Sequence, residues 1–112
     1  MTHSTGTPTK SQAARFARLH ELGCIACRLD GVGYVVQAEI HHFLAGNKRI
    51  GHDATVPLCQ WHHRAIPWPF CTEAECLATH GPSFHRHTRQ FRARYGTDAE
   101  LLETVNGIIA NG

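Results

Sequence analysis

The chain has 112 residues, a formal charge of +2, five cysteines and ten histidines. Its share of Leu, Ile, Val and Phe sits only just above the roughly 20% level at which disorder becomes the default reading, so a small hydrophobic core needs help from another tie. An odd cysteine count speaks against a closed disulfide framework, the polar start MTHSTGTPTK lacks the apolar run of a signal peptide, and no stretch approaches a membrane span; the expected setting is a reducing cytoplasm with thiolates on metal.

Residues 1–10 read as a disordered tail, and 11–112 as one domain. Ser11 is a cap for a helix SQAARFARLHEL, with Phe16, Leu19 and Leu22 on one face and Gly23 as its stop. CIACRLDGVG has the look of a metal knuckle turning into a strand, YVVQAEI, over residues 34–40. FLAGNKRIGHDA is a loop, TVPL a second strand, and CQWHHRAI a helix of about two turns. The prolines at 67, 69 and 82 bound an irregular insertion, residues 67–82, carrying Cys71, Cys76 and His80. A third helix runs from Ser83 to Gly96, and Thr97 with Glu100 forms a capping box for a last helix whose Leu101, Leu102, Val105, Ile108 and Ile109 make an apolar stripe. The fold class is therefore α+β, a strand–loop–strand–helix unit with flanking helices.

Cys24 and Cys27 meet a second pair, Cys59 and His62, thirty-odd residues on, and two such pairs supply the four ligands of a tetrahedral structural zinc. A rival arrangement completes a four-cysteine site from Cys24, Cys27, Cys71 and Cys76. In the first arrangement Cys71, Cys76 and His80, with His87 or His52, are candidates for a second structural zinc. His41, His42 and His63 remain. A neutral imidazole is a metal ligand or a base poised near neutral pH, and neighbours on a strand face opposite ways. One of the pair can thus hold a divalent ion with His63 while the other takes a proton; such a site suits Zn, Ni, Co or Mn, with Mg also open.

The acids are unevenly spread. Asp53 is alone between His41 and Thr72, while Arg86, Arg89, Arg92 and Arg94 occupy a stretch without acids, a basic patch suited to a phosphate backbone. Trp61 and Trp68 read as packing residues.

CIAC, then EIHHF, then VPLCQWHH resembles an HNH endonuclease, whose ββα-metal finger combines these motifs; FHRHTRQFRARYG is similar to the closing helix of phage recombination-enhancement (Ref-type) nucleases. The resemblance implies a metal-dependent DNA endonuclease in phage or mobile-element recombination or repair, with DNA and a recombinase filament as partners. It further implies His42 as general base, His41 and His63 as ligands of the catalytic ion, and His62 in place of the knuckle's fourth cysteine. His85 would take over a ligand position that Pro67 occupies. The usual middle Asn is missing from His52-Asp53-Ala54-Thr55, and Asp53 is the candidate to brace the loop or orient the base. The alternative is a zinc-stabilised DNA-binding module without turnover, or a protein-interaction module docking through its last helix.

Overall fold

The structure is a computed structural model that describes residues 6–111. Of the expected tail, residues 1–5 lie outside the described residues. Helix α1 spans Lys10–Leu22, capped two residues earlier than expected by Thr9, whose hydroxyl accepts from the Gln12 N–H while the Gln12 side chain returns the bond. It ends at Gly23, where φ is 77° and a Cβ would stand 2.8 Å from the Val36 carbonyl oxygen, so both the left-handed turn and the close approach require glycine.

Helix α2 (Ile25–Leu29) is one short turn nucleated by Cys24, whose sulfur accepts from the Cys27 N–H at 3.5 Å. Strand β1 covers Glu39–His42 and pairs antiparallel with β4, Thr55–Leu58, with His41 opposite Val56 and His42 opposite Thr55. The strand is shorter than YVVQAEI because Leu58 is paired with Glu39 and Cys59 then turns the chain into a helix, leaving residues 34–38 without a strand partner among the described residues. Those residues instead run past the knuckle, with Val36 accepting from the Cys24 N–H at 2.9 Å. Between the two strands, the expected loop contains a small hairpin of β2 (Leu44–Ala45) and β3 (Lys48–Arg49).

Helix α3 (Gln60–Arg64) is capped by Cys59 and stopped by Ala65 in the left-handed region at φ 58°. The insertion corrects the sequence reading: it holds helix α4, Glu73–His80, because Thr72 and Glu75 form a capping box inside the proline-bounded segment. The third helix is also shorter than expected. Ser83 accepts from the Arg86 N–H in a preceding turn, so α5 spans only Thr88–Tyr95 and Arg86 lies outside it. Helix α6, Asp98–Asn111, follows the expected Thr97–Glu100 box.

Leu19 of α1, Ile25 of α2, Val56 and Leu58 of β4, Trp61 of α3, Phe91 of α5, and Leu101 and Val105 of α6 are all at most 1% exposed and form one core. Trp61 is a core residue, its indole N–H satisfied by the Gly81 carbonyl at 2.9 Å. Fixing β1, β4 and α3 against this core sets His63 of α3 beside Glu39 and His41 of β1, where the histidines meet.

Candidate functional site

The knuckle assembles from two helix N-termini. Cys24 and Cys59 are the caps of α2 and α3, and Cys27 and His62 each lie three residues further on, so both pairs project from a first turn toward a shared point. One ligand atom from each of Cys24, Cys27, Cys59 and His62 lies within 4.8 Å of the others, and all four residues are buried. His62 Nδ1 is 3.3 Å from Cys59 Sγ and 3.5 Å from Cys24 Sγ. Its Nε2–H donates to the His80 carbonyl at 2.8 Å, which leaves Nδ1 as the ring atom facing the sulfurs. Burial pulls the His62 pKa down, but Cys24 and Cys59 outweigh it and bring it up to about 10. Hydrogen bonding with Cys24 pushes the Cys27 thiol up and draws the Cys59 thiol down. Three sulfurs in one pocket thus compete for a proton, and a divalent cation relieves that competition while accepting all three as thiolates. The donor set fits zinc.

Cys71 and Cys76 do not join this group, which removes the rival four-cysteine arrangement. Nor do Cys71, Cys76 and His80 form a second one: among the described residues only the knuckle brings three or more such ligands together. Cys71 is exposed and Cys76 fully buried, and the turn of α4 carries His80 to the rim of the knuckle, where its backbone serves His62.

The remaining histidines line a cavity of about 550 Å³ together with Arg49, Arg92 and Asp98. His41 and His63 stand with ring centroids 5.0 Å apart. His41 is 8% exposed, packed against Phe84 at 4.4 Å and Phe43 at 5.0 Å, and its Nε2 is buried without a hydrogen-bond partner among the described residues. A buried nitrogen costs about 1–3 kcal/mol when left unpaired, a cost that a ligand at this atom would offset. His63 donates through Nδ1 to Glu39 Oε1 at 2.8 Å, which leaves Nε2 as its ring atom with a lone pair. Glu39 is in turn clasped by Arg64, whose Nε–H reaches Oε1 at 2.8 Å; that bond first, and His63 second, holds the carboxyl below the usual carboxylate range. The pairing of a buried imidazole with a carboxylate-backed one fits a divalent cation.

His42 faces other partners. Phe16 of α1 abuts its ring, and its Nε2 lies 3.1 Å from Nδ1 of His52, whose Nε2–H donates to the Gly6 carbonyl at 2.8 Å. Burial first, and then His63 for His41 and Arg49 for His42, bring both imidazoles down to about 4, so both are neutral near pH 7 with lone pairs available.

Other expected site residues fall elsewhere. Asp53 is exposed and accepts from the Gln12 side chain at 3.1 Å, bracing the loop against α1; the contact to His42 comes from His52 instead. His85 is exposed and does not line the cavity. Arg86 pairs with Glu73, Arg92 with Asp98 and Arg94 with Asp30, while Arg89 is exposed. Glu39 was legible from period-two geometry, since it shares a strand face with His41. Arg49 and Asp98 were not, because only folding brings the hairpin and the start of α6 to the same cavity.

A Cys₃His knuckle joining two helix caps beneath a two-stranded sheet that ends in paired histidines defines a small α+β domain with the means to hold zinc. Residues 8–110 match the family described as recombination enhancement, RecA-dependent nuclease, and the chain belongs to that family. The family is one of nucleases that serve recombination in dependence on RecA. Among the described residues no helix is long and apolar enough to cross a membrane.

Proposed function

We propose that this chain is a metal-dependent endonuclease of the HNH type that hydrolyses DNA phosphodiester bonds, with His42 as general base and His41 and His63 as the protein ligands of one catalytic ion. The observation that carries the reading is the buried Nε2 of His41, unpartnered among the described residues, beside the carboxylate-backed His63, with a neutral His42 at the next position along the strand. A divalent ion held there would act as a Lewis acid on the scissile phosphate and its departing oxygen.

His42 takes the proton from the attacking water; its neutral state near pH 7 makes it competent, and general-base help of this kind is worth roughly 10²- to 10⁴-fold. Arg49 and Arg92, on the cavity wall, neutralise and orient the phosphate, and Asp98 holds the Arg92 guanidinium through both carboxylate oxygens at 2.9 and 3.2 Å. Glu39 fixes the His63 ring so that Nε2 is the coordinating atom. The knuckle supplies rigidity, since it locks α3, and with it His63, to the start of the chain's core. Dependence on RecA fits DNA presented as a recombinase filament, with the wider setting in phage or mobile-element recombination. A binding module without turnover would rest on the arginine patch, yet Arg86 and Arg94 are already paired with acids of the chain and lie outside the cavity lining.

The test is cleavage of plasmid and of RecA-coated DNA with Mn, Zn, Ni or Mg, each against a chelator control, by the wild type and His42→Ala. We expect metal-dependent cutting that falls at least 100-fold in the variant while fold and DNA binding persist. Undiminished cutting by a folded His42→Ala protein would refute the assignment.

A further inference from the structure

We propose that His52 is the positioning residue for His42: a relay from the Gly6 carbonyl through His52 fixes the His42 tautomer, so that Nε2 carries the proton and Nδ1 is the basic nitrogen. The inference rests on the reading of His42 as general base and adds a residue and an atom to it.

The direction of the relay follows from its first member. A backbone carbonyl only accepts, so the 2.8 Å contact between Gly6 O and His52 Nε2 requires a proton on Nε2. A neutral His52 then has only a lone pair at Nδ1, and the 3.1 Å contact from that atom to His42 Nε2 requires that His42 donate. A neutral imidazole with its proton on Nε2 exposes a lone pair at Nδ1, and His42 Nδ1 makes no hydrogen bond to the described residues. The cavity is therefore served by one defined nitrogen.

Packing holds the geometry. His52 is 7% exposed, and Phe16 presses edge-on against both rings, at 5.4 Å from His52 and 6.1 Å from His42. The Thr55 hydroxyl donates to the His52 carbonyl at 2.8 Å, and Arg15 of α1 binds Thr55 in turn, so the backbone of His52 is pinned to β4 and α1. Asp53 is turned away to Gln12 and has no part in the relay.

The test has a spectroscopic arm and a kinetic arm, both on the zinc-loaded full chain. In ¹⁵N-histidine-labelled protein at mildly alkaline pH, with His42 identified by its loss in His42→Gln, nitrogen shifts should show a protonated Nε2 and a bare Nδ1. In His52→Leu the two tautomers should mix, and kcat for DNA cleavage should fall about 10- to 100-fold with little change in KM, the usual cost of losing an orienting partner. His52→Asn, whose side-chain oxygen can accept near the Nδ1 position, should recover most of the rate and the single tautomer. A His42 protonated on Nδ1 in the wild type overturns the proposal, as does a folded His52→Leu with unchanged kcat. If His52→Leu does not fold, the wild-type spectrum alone decides. Should His42→Ala cleave normally, the endonuclease reading fails, whereas the spectrum still reports whether the relay exists.

Discussion

Replacing His41 by leucine separates the cost of this side chain from its use. The imidazole is buried between Phe43 and Phe84 with Nε2 unpaired among the described residues, which costs about 1–3 kcal/mol, and leucine fills a similar volume without a polar atom. Allowing for imperfect packing, His41→Leu should be more stable by about 1 kcal/mol at pH 8, a rise in Tm of about 4 °C for a domain of this size. The gap should then widen with acid. Burial, and after it His63, lower the His41 pKa from 6.5 to about 4, so the unfolded chain binds a proton that the folded one refuses. Stability of the wild type is thus intact above 6.5 and drains as pH falls to about 4, in all by about 3 kcal/mol, with about 1 kcal/mol gone by pH 5.5. His41 is 8% exposed, so solvent screens little of this. Urea melts of both proteins with one equivalent of zinc, at pH 8 and pH 5.5, measure the difference, and acid release of zinc from the knuckle is common to both. The same variant should lose cleavage and its second bound metal. A His41→Leu protein that is less stable at pH 8, shows no widening gap, or still cuts DNA would refute the reasoning.

Cys27→Ser should abolish zinc binding at the knuckle, measured by metal analysis, and unfold the chain: structural zinc contributes roughly 10–16 kcal/mol in finger peptides, as much as a whole domain's stability. Cys71→Ser should leave zinc content at its wild-type value, since Cys71 lies outside the knuckle. Arg89→Ala should lower the slope of log affinity for DNA against log salt by about one, because Arg89 is the exposed arginine of α5 outside the ion pairs made by Arg92 and Arg94. Glu39→Gln should flatten the acid limb of stability below pH 4.5: Arg64 first and His63 next hold this carboxyl low, so its contribution is present above 4.5 and is lost as pH falls through the folded value. It should also weaken the second metal about 10- to 100-fold, read by competition with a chelating dye.

Spacing alone carried the knuckle. A cysteine that caps a helix places the residue three positions on beside it, so Cys24 with Cys27 and Cys59 with His62 are local geometry, and local geometry is legible without a fold. The neighbouring histidines of EIHHF and the capping boxes at Thr97 and, in hindsight, Thr72 belong to the same kind of information.

What the tertiary structure decided is which distant groups complete each local pair. The choice of His52 over Asp53 as the partner of His42 depends on how the loop after the β2–β3 hairpin lies against α1, since both residues sit in one turn and only packing selects between them. The same holds for His80, which the turn of α4 converts from a candidate ligand into a backbone support for His62, and for Arg92, which the Asp98 contact turns toward the cavity. Bonds between residues far apart in the chain depend on where the core holds each element, and no short window of sequence contains that information.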